Sequence, residues 1–217
     1  MKRLSIIVEG QTEKEFVNDV LAPYFHRNGI YVVVPIVIRT SKTSRGGFDN
    51  YDHLRRDICN ELKSAGNDLL VTTLVDFFRM PHKLLELAHT GKEMSHLQQL
   101  EAVERFMMAD INDYRFVPYI QMHEFEALLF ADNHGFEAYF DETQYMQTSA
   151  IISQYPNPED INTSPNGAPS KRLLKIKPNY DKIVDGNVIA IEVGIDSMLS
   201  KCPRFRRWIE VLVSNLK

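Results

Sequence analysis

Cysteine is scarce in this chain, and long apolar runs are lacking. Only two cysteines occur among the 217 residues, Cys59 and Cys202, and they lie far apart. Such a pair predicts reduced thiols and argues against a disulfide framework or a zinc site. No apolar run approaches the roughly 20 residues that a membrane-spanning helix needs, and the run from Leu4 to Val8 is too short for the core of a signal peptide. We therefore expect a cytoplasmic protein with no membrane segment.

An excess of basic residues is lacking as well. The formal net charge is −4, which excludes a protein that coats nucleic acid through a uniformly basic surface. Any phosphate-binding site must then be a local patch. The sequence also has no Walker-type glycine loop, so we expect no ATPase activity of its own.

Strand-like runs alternate with amphipathic helical patterns over residues 1–122. The run 31–38 is almost continuously β-branched, which predicts a strand buried on both faces of a sheet. From residue 123 the pattern becomes mostly helical. The order of elements predicts an α/β fold with a mostly parallel sheet flanked by helices. We expect a single domain, 1–217, in which a mostly helical extension, 123–217, packs on an α/β core, 1–122.

Acidic residues stand at the ends of two strand-like runs. Glu9 precedes Gly10 at the end of the first run, and Asp76 ends the run that begins at Leu69. In a parallel sheet, the carboxyl ends of the strands form the crevice where ligands bind. Two carboxylates that meet there would suit a hard divalent cation such as Mg²⁺ or Mn²⁺.

A third acidic cluster, His123-Glu124-Phe125-Glu126, follows the fourth run. In a helix Glu124 and Glu126 would point about 200° apart, so only one would face a metal, whereas in a strand they would share a face. We favour Glu126, because the apolar helical run after it would bury its carboxylate and require a cation or a basic partner. His123 is more typical of a capping or packing histidine than of a ligand.

The turn after Glu9 contains a further candidate. Thr12 and Glu15 fit a capping box at the start of a helix. Glu13 lies between them and could act as an acid behind the metal ligands or as a general base. Capping alone would also explain this segment, with the glutamates solvated.

Two basic segments are candidates for holding a substrate phosphate. Lys171 and Arg172 follow Ser170 at the start of a predicted helix, whose free amides favour an anion. Lys42 and Arg45 lie in the polar segment that follows the second strand-like run.

At this point the residues suggest a family. Five segments resemble successive motifs of an uncharacterised bacterial Toprim-like family, related to the Toprim domain of the overcoming-lysogenization-defect (OLD) nucleases. They are Val8–Glu13, Val75–Phe78, His123–Leu129, Ala168–Leu173 and Cys202–Phe205. The resemblance implies a Toprim-like α/β fold, Mg²⁺ at the acids, and work beside a separately encoded ATPase in defence against phage.

One departure from the Toprim pattern concerns the metal. That pattern carries Asp-x-Asp, but here Phe78 stands where the second aspartate belongs. Either Glu126 or Glu124 replaces the missing ligand, or the domain binds metal weakly and has lost catalysis.

The sequence thus predicts Mg²⁺-dependent cleavage of phosphodiester bonds in nucleic acid, DNA or RNA. Glu9, Asp76 and Glu126 would hold the metal, and Lys171 or Arg172 the phosphate. One alternative is a non-catalytic subunit that binds nucleic acid or an ATPase. Another is a phosphoryl-transfer enzyme that acts on small nucleotides.

Overall fold

The structure is a computed structural model that describes residues 2–40, 46–64, 66–78, 80–161, 164 and 167–217. Its centre is a parallel sheet in the order β2-β1-β3-β4, with β5 pairing beside β4 on the same edge of β3. The strands are β1 (Arg3–Val8), β2 (Val32–Val37), β3 (Leu69–Asp76), β4 (Phe116–Val117) and β5 (Ile120–Gln121). The predicted mostly parallel sheet is therefore confirmed.

Helices cover both faces of the sheet. They are α1 (Gln11–Phe16), α2 (Ala22–Arg27), α3 (Tyr51–Ser64), α4 (His82–Leu87), α5 (His96–Ile111), α6 (His134–Glu137), α7 (Glu142–Gln154), α8 (Pro169–Ile176), α9 (Val184–Lys201) and α10 (Pro203–Asn215). A π-helical segment, Val17–Leu21, joins α1 to α2, and short 3₁₀ helices span Phe125–Ala131 and Pro158–Asp160. Among the described helices, none is long and apolar enough to cross a membrane.

The strands send alternate side chains into two apolar layers, as the period of a strand requires. Ile7 and Val71 pack with α3 and α5 on one face. Leu4 and Leu70 lie on the other face, in the same apolar cluster as the carboxyl-terminal helices α9 and α10. The extension from residue 123 thus shares a core with the strands that precede it.

Two details of the predicted sheet are wrong. Strand β2 is half-buried along its whole length, not buried on both faces, because it pairs with β1 alone at one end of the strand order. The fourth strand-like run of the sequence, residues 116–120, predicts one strand but divides into β4 and β5. Pro118 lies between them, and a proline has no N–H to donate to a ladder.

Candidate active site at the carboxyl edge of the sheet

An open cleft of about 400 Å³ lies at the carboxyl edge of the sheet. It is lined by the ends of β1 and β3, the segment after β5 and the start of α8. Its lining residues are Glu9, Gly47, Phe48, Asp49, Asp76, Phe78, Glu124, Ser170, Lys171 and Lys182. The cleft therefore brings together four acids from four separate regions of the chain.

Glu9 and Asp76 meet because β1 and β3 are parallel neighbours, with Val8 paired to Leu74. The backbone N–H of Asp76 donates to Oε2 of Glu9 at 3.4 Å. Oδ1 of Asp76 accepts the backbone N–H of Phe125 at 2.9 Å. Asp76 thereby fixes the start of the 3₁₀ helix that carries the third acidic cluster.

Glu13 joins this group through the first turn of α1. The helix begins at Gln11 with Gly10 as its N-cap, so the predicted capping box of Thr12 and Glu15 is wrong. Glu13 closes the turn instead, since its Oε2 accepts the backbone N–H of Gly10 at 2.9 Å. Its side chain is buried at the edge of the cleft.

Glu124 and Glu126 point to different partners. Glu124 is extended, and its carboxylate accepts both the backbone N–H and the hydroxyl of Ser170, each at 3.0 Å. Glu126 lies in the 3₁₀ helix and is completely buried. Within the described part of the chain, neither of its carboxylate oxygens has a hydrogen-bond partner. Burial of a carboxylate in this state requires a nearby cation.

Lys182 supplies positive charge to this cluster. Its ammonium lies 3.4 Å from Oε2 of Glu126 and 3.7 Å from both Oδ2 of Asp76 and Oε1 of Glu13. Lys182 was not among the residues predicted from the sequence. Asp181 accepts the backbone N–H groups of Ile183 and Val184 through Oδ1 and so marks the start of α9, but a helix start alone does not indicate that Lys182 faces the acids.

Burial governs the ionisation of the acids. It raises the pKa of Glu126 to about 7, and it raises the pKa of Asp76 well above its ordinary value. Burial, followed by repulsion from Glu13, raises the pKa of Glu9. Burial opposes the charge on Lys182, but the carboxylates of Asp76, Glu126 and Glu13 outweigh it and raise the pKa of the ammonium. With all four acids ionised, the cluster would carry more negative charge than one lysine neutralises.

The donor set fits a hard divalent cation. Mg²⁺ and Mn²⁺ prefer carboxylate oxygens, and Glu126 offers two buried oxygens without hydrogen bonds among the described residues. As placed, no three His, Cys, Asp or Glu side chains in the described ranges form a group ready to hold a metal. The Lys182 ammonium lies between three of the carboxylates instead, so a divalent cation would compete with it.

Of the predicted phosphate-binding residues in the described part of the chain, Lys171 lines the cleft and Arg172 contacts other parts of the protein. Lys171 is exposed and lines the cleft. Arg172 donates from Nε to the carbonyl of Gly167 at 2.8 Å and stacks its guanidinium 5.1 Å from the centre of the Tyr155 ring. Lys42 and Arg45 lie outside the described residues.

Two further positions bear on the predictions. Phe78, which stands where the second aspartate of the Toprim pattern belongs, lines the cleft.

His123 has a left-handed backbone, with φ of 67°, and its ring packs edge-on against His96 at 6.1 Å between centroids. Burial, together with His96, lowers the pKa of His123 to about 4. Its ring is therefore neutral at physiological pH and suits the predicted packing role.

Comparisons with known proteins agree with the predicted fold. The chain is similar to the C-terminal region of the Burkholderia pseudomallei OLD protein, with a TM-score of 0.51 and 17% identity over 98% of this chain and 99% of that chain. The C-terminal region of the Xanthomonas campestris pv. campestris OLD protein matches with a TM-score of 0.46 and 15% identity, over 100% and 94% of the two chains. The first match confirms the Toprim-like relation at the level of the fold alone. The comparison with curated proteins gives no match.

A family model covers nearly the whole chain. The match runs over residues 8–213, and its description is a domain of unknown function, DUF4276. It includes all five segments that carried the resemblance to a Toprim-like family, from Val8–Glu13 to Cys202–Phe205. The chain therefore belongs to the DUF4276 family.

Proposed function

We propose that the protein is a Mg²⁺- or Mn²⁺-dependent phosphodiesterase that cleaves nucleic acid. One observation carries the proposal: Glu9, Glu13, Asp76 and Glu126 converge with Lys182 at the carboxyl edge of a parallel sheet. Perturbed acids in a cleft are typical of functional sites. Glu9 and Asp76 line the open cleft, and acids that served only stability would not need to lie there.

Glu9, Asp76 and Glu126 would hold the metal. When bound, the cation would neutralise phosphate charge and lower the pKa of a water molecule. Glu124 is the alternative ligand, but its two oxygens already hold the start of α8 through Ser170. We therefore assign Glu126 to the metal and Glu124 to positioning α8.

The remaining residues would act on the phosphate and on the water. Glu13 presents Oε1 to the cluster while Gly10 fixes Oε2, so Glu13 can accept a proton from the attacking water. Lys182 would donate to a phosphate oxygen and stabilise the negative charge that develops on it. Lys171, at the lip of the cleft, would hold a flanking phosphate. DNA and RNA both carry the phosphodiester on which these groups would act.

A non-catalytic subunit that binds nucleic acid or an ATPase is the second candidate. Phe78 favours it, since an aromatic ring stands where Toprim enzymes carry a second carboxylate.

An enzyme acting on small nucleotides would use the same acids. A place in phage defence beside a separate ATPase rests on the resemblance alone and stays a prediction.

The test compares wild type with Asp76→Asn, with Asp141→Asn as the control, because Asp141 caps α7 and does not line the cleft. Labelled single- and double-stranded DNA and RNA are incubated with Mn²⁺ or Mg²⁺, and melting temperature is followed in parallel. We expect metal-dependent cleavage and a metal-induced rise in melting temperature, both lost in Asp76→Asn only. A metal-induced rise without cleavage of any substrate would favour the non-catalytic subunit. Full activity of Asp76→Asn would refute the proposed site.

A further inference from the structure

A second open groove lies at the β4 edge of the sheet and shares no lining residue with the acidic cleft. Helix α5 borders it on one face of the sheet and α10 on the other, and Val117 of β4 lies at its base. Its volume is about 500 Å³. Among the described strands β4 is the last in the order, and a sheet edge in a folded protein is commonly covered by a helix or a loop.

The base of this groove is rigid. The rings of Tyr119 and Trp208 stack 4.2 Å apart with 7° between their planes, and Nε1 of Trp208 donates to Oγ1 of Thr72 at 2.8 Å. Arg204 pairs with Glu104 at 2.8 Å. A partner would thus meet a preformed surface, which lowers the entropic cost of binding.

The rim combines exposed apolar side chains with basic ones. Leu97, Met108 and Val211 are 42%, 53% and 37% exposed, and all three line the groove. Arg105 and Arg207 are exposed on the same rim. Among the described residues, neither arginine is in a salt bridge. The rim is a local basic patch on a protein whose net charge is −4.

From this rim we infer that the groove binds an amphipathic helix of another protein, with acidic residues beside its apolar stripe. Helix-in-groove binding uses apolar anchors spaced along one face of the helix, and carboxylates beside them would pair with Arg105 and Arg207. An added strand fits poorly, because β4 has only two residues and Pro118 follows it.

Charge argues against a second copy of the chain, and the apolar side chains of the rim argue against nucleic acid. A second copy of the chain would bring its own two arginines to the interface, against Glu101 as the free acid of the rim in the described part of the groove. A nucleic acid would face Leu97, Met108 and Val211, which give phosphates nothing to bind. The inference is independent of the proposed nuclease activity, because none of its residues lines the acidic cleft.

The test uses two synthetic helical peptides of about four turns. Both have leucines along one stripe; one has glutamates beside the stripe, and its twin has lysines there. Fluorescence anisotropy measures their binding to the wild type, to Arg105→Glu/Arg207→Glu, and to Val211→Asp. Arg206→Glu is the matched control, because Arg206 is an exposed neighbour on α10 outside the groove.

We expect the acidic peptide to bind at least about tenfold more tightly than its twin. The double charge reversal should invert this preference, Val211→Asp should weaken both peptides, and Arg206→Glu should leave them unchanged. Equal binding of the two peptides would overturn the inference. So would a dimer in light scattering that Val211→Asp abolishes, or oligonucleotide binding that only the rim variants weaken, since these results assign the groove to a second copy or to nucleic acid.

Discussion

At the scale of single residues, the acidic cleft contains charges that are only partly balanced. Three carboxylates share the one ammonium of Lys182 at 3.4 to 3.7 Å. Two hydrogen bonds, from Gly10 to Glu13 and from Phe125 to Asp76, hold the acids in position. Such an arrangement lowers the stability of the folded protein unless a further cation balances the carboxylates. Sites that bind metal ions commonly have this imbalance when no metal is bound.

Replacement of Lys182 by methionine should therefore destabilise the metal-free protein. The side chain is 40% exposed, so the loss is expected at roughly 1–3 kcal/mol, less than for a fully buried pair. Urea unfolding at pH 8 without metal measures it, and added Mn²⁺ should recover most of the loss. Lys201→Met, at an exposed position on α9, is the control. An equal loss in the two variants would contradict the assigned role.

Glu126 makes the stability of the metal-free protein depend on pH. Its folded-state pKa is about 7 against an ordinary 4.5, so between these values the native state holds more protons than the unfolded state. Stability must then fall as pH rises from about 4.5 to 7, by on the order of 3 kcal/mol. Glu126→Gln should reduce this slope, with Asp76 and Glu9 contributing the remainder, and should be more stable than wild type at pH 8 without metal. Parallel unfolding curves across that range for both proteins would show that the buried carboxylate does not titrate in this way.

At the scale of elements, two helices are capped from a distance. Both α8 and α10 begin with proline and have at the N-cap a residue without a capping side chain, Ala168 or Cys202. Glu124 accepts from Ser170 in α8, and Glu159 accepts the backbone N–H groups of residues 204 and 205 in α10. Carboxylates at helix amino ends stabilise the helix, and here they also fix where each helix starts.

The Glu124 cap should matter for both stability and substrate binding. Glu124→Ala leaves the amide and hydroxyl of Ser170 without this acceptor, at a cost of about 1–2 kcal/mol. Since Lys171 follows Ser170, its position at the cleft should loosen too, and oligonucleotide affinity should drop. Glu142→Ala, an exposed first-turn acid on α7, is the control for the loss of one negative charge. Unfolding and anisotropy titrations that give the same values for both variants would exclude the cap as a positioning element.

At the scale of the whole molecule, the sheet and its acids follow from local patterns. Glu9 and Asp76 stand directly after buried runs, and parallel pairing brings strand ends together, so their meeting was predictable. The position of Lys182 was not predictable. Residues 177–183 have no periodicity, and packing between distant elements places the ammonium. The half-buried state of β2 also depends on strand order, which no single run of residues encodes.

Under the proposed function, the net charge of the molecule would make nucleic-acid binding depend on few contacts. A protein of charge −4 has only local basic groups with which to displace counterions, so each phosphate contact should be visible in the salt dependence of affinity. Lys171→Ala should lower the slope of log affinity against log salt by about 1. Arg172→Ala should leave that slope unchanged, because its guanidinium is held by Gly167 and Tyr155. Anisotropy titrations of both variants over a range of salt concentrations measure the two slopes. A reduced slope in Arg172→Ala alone would assign the phosphate contact to Arg172 instead of Lys171.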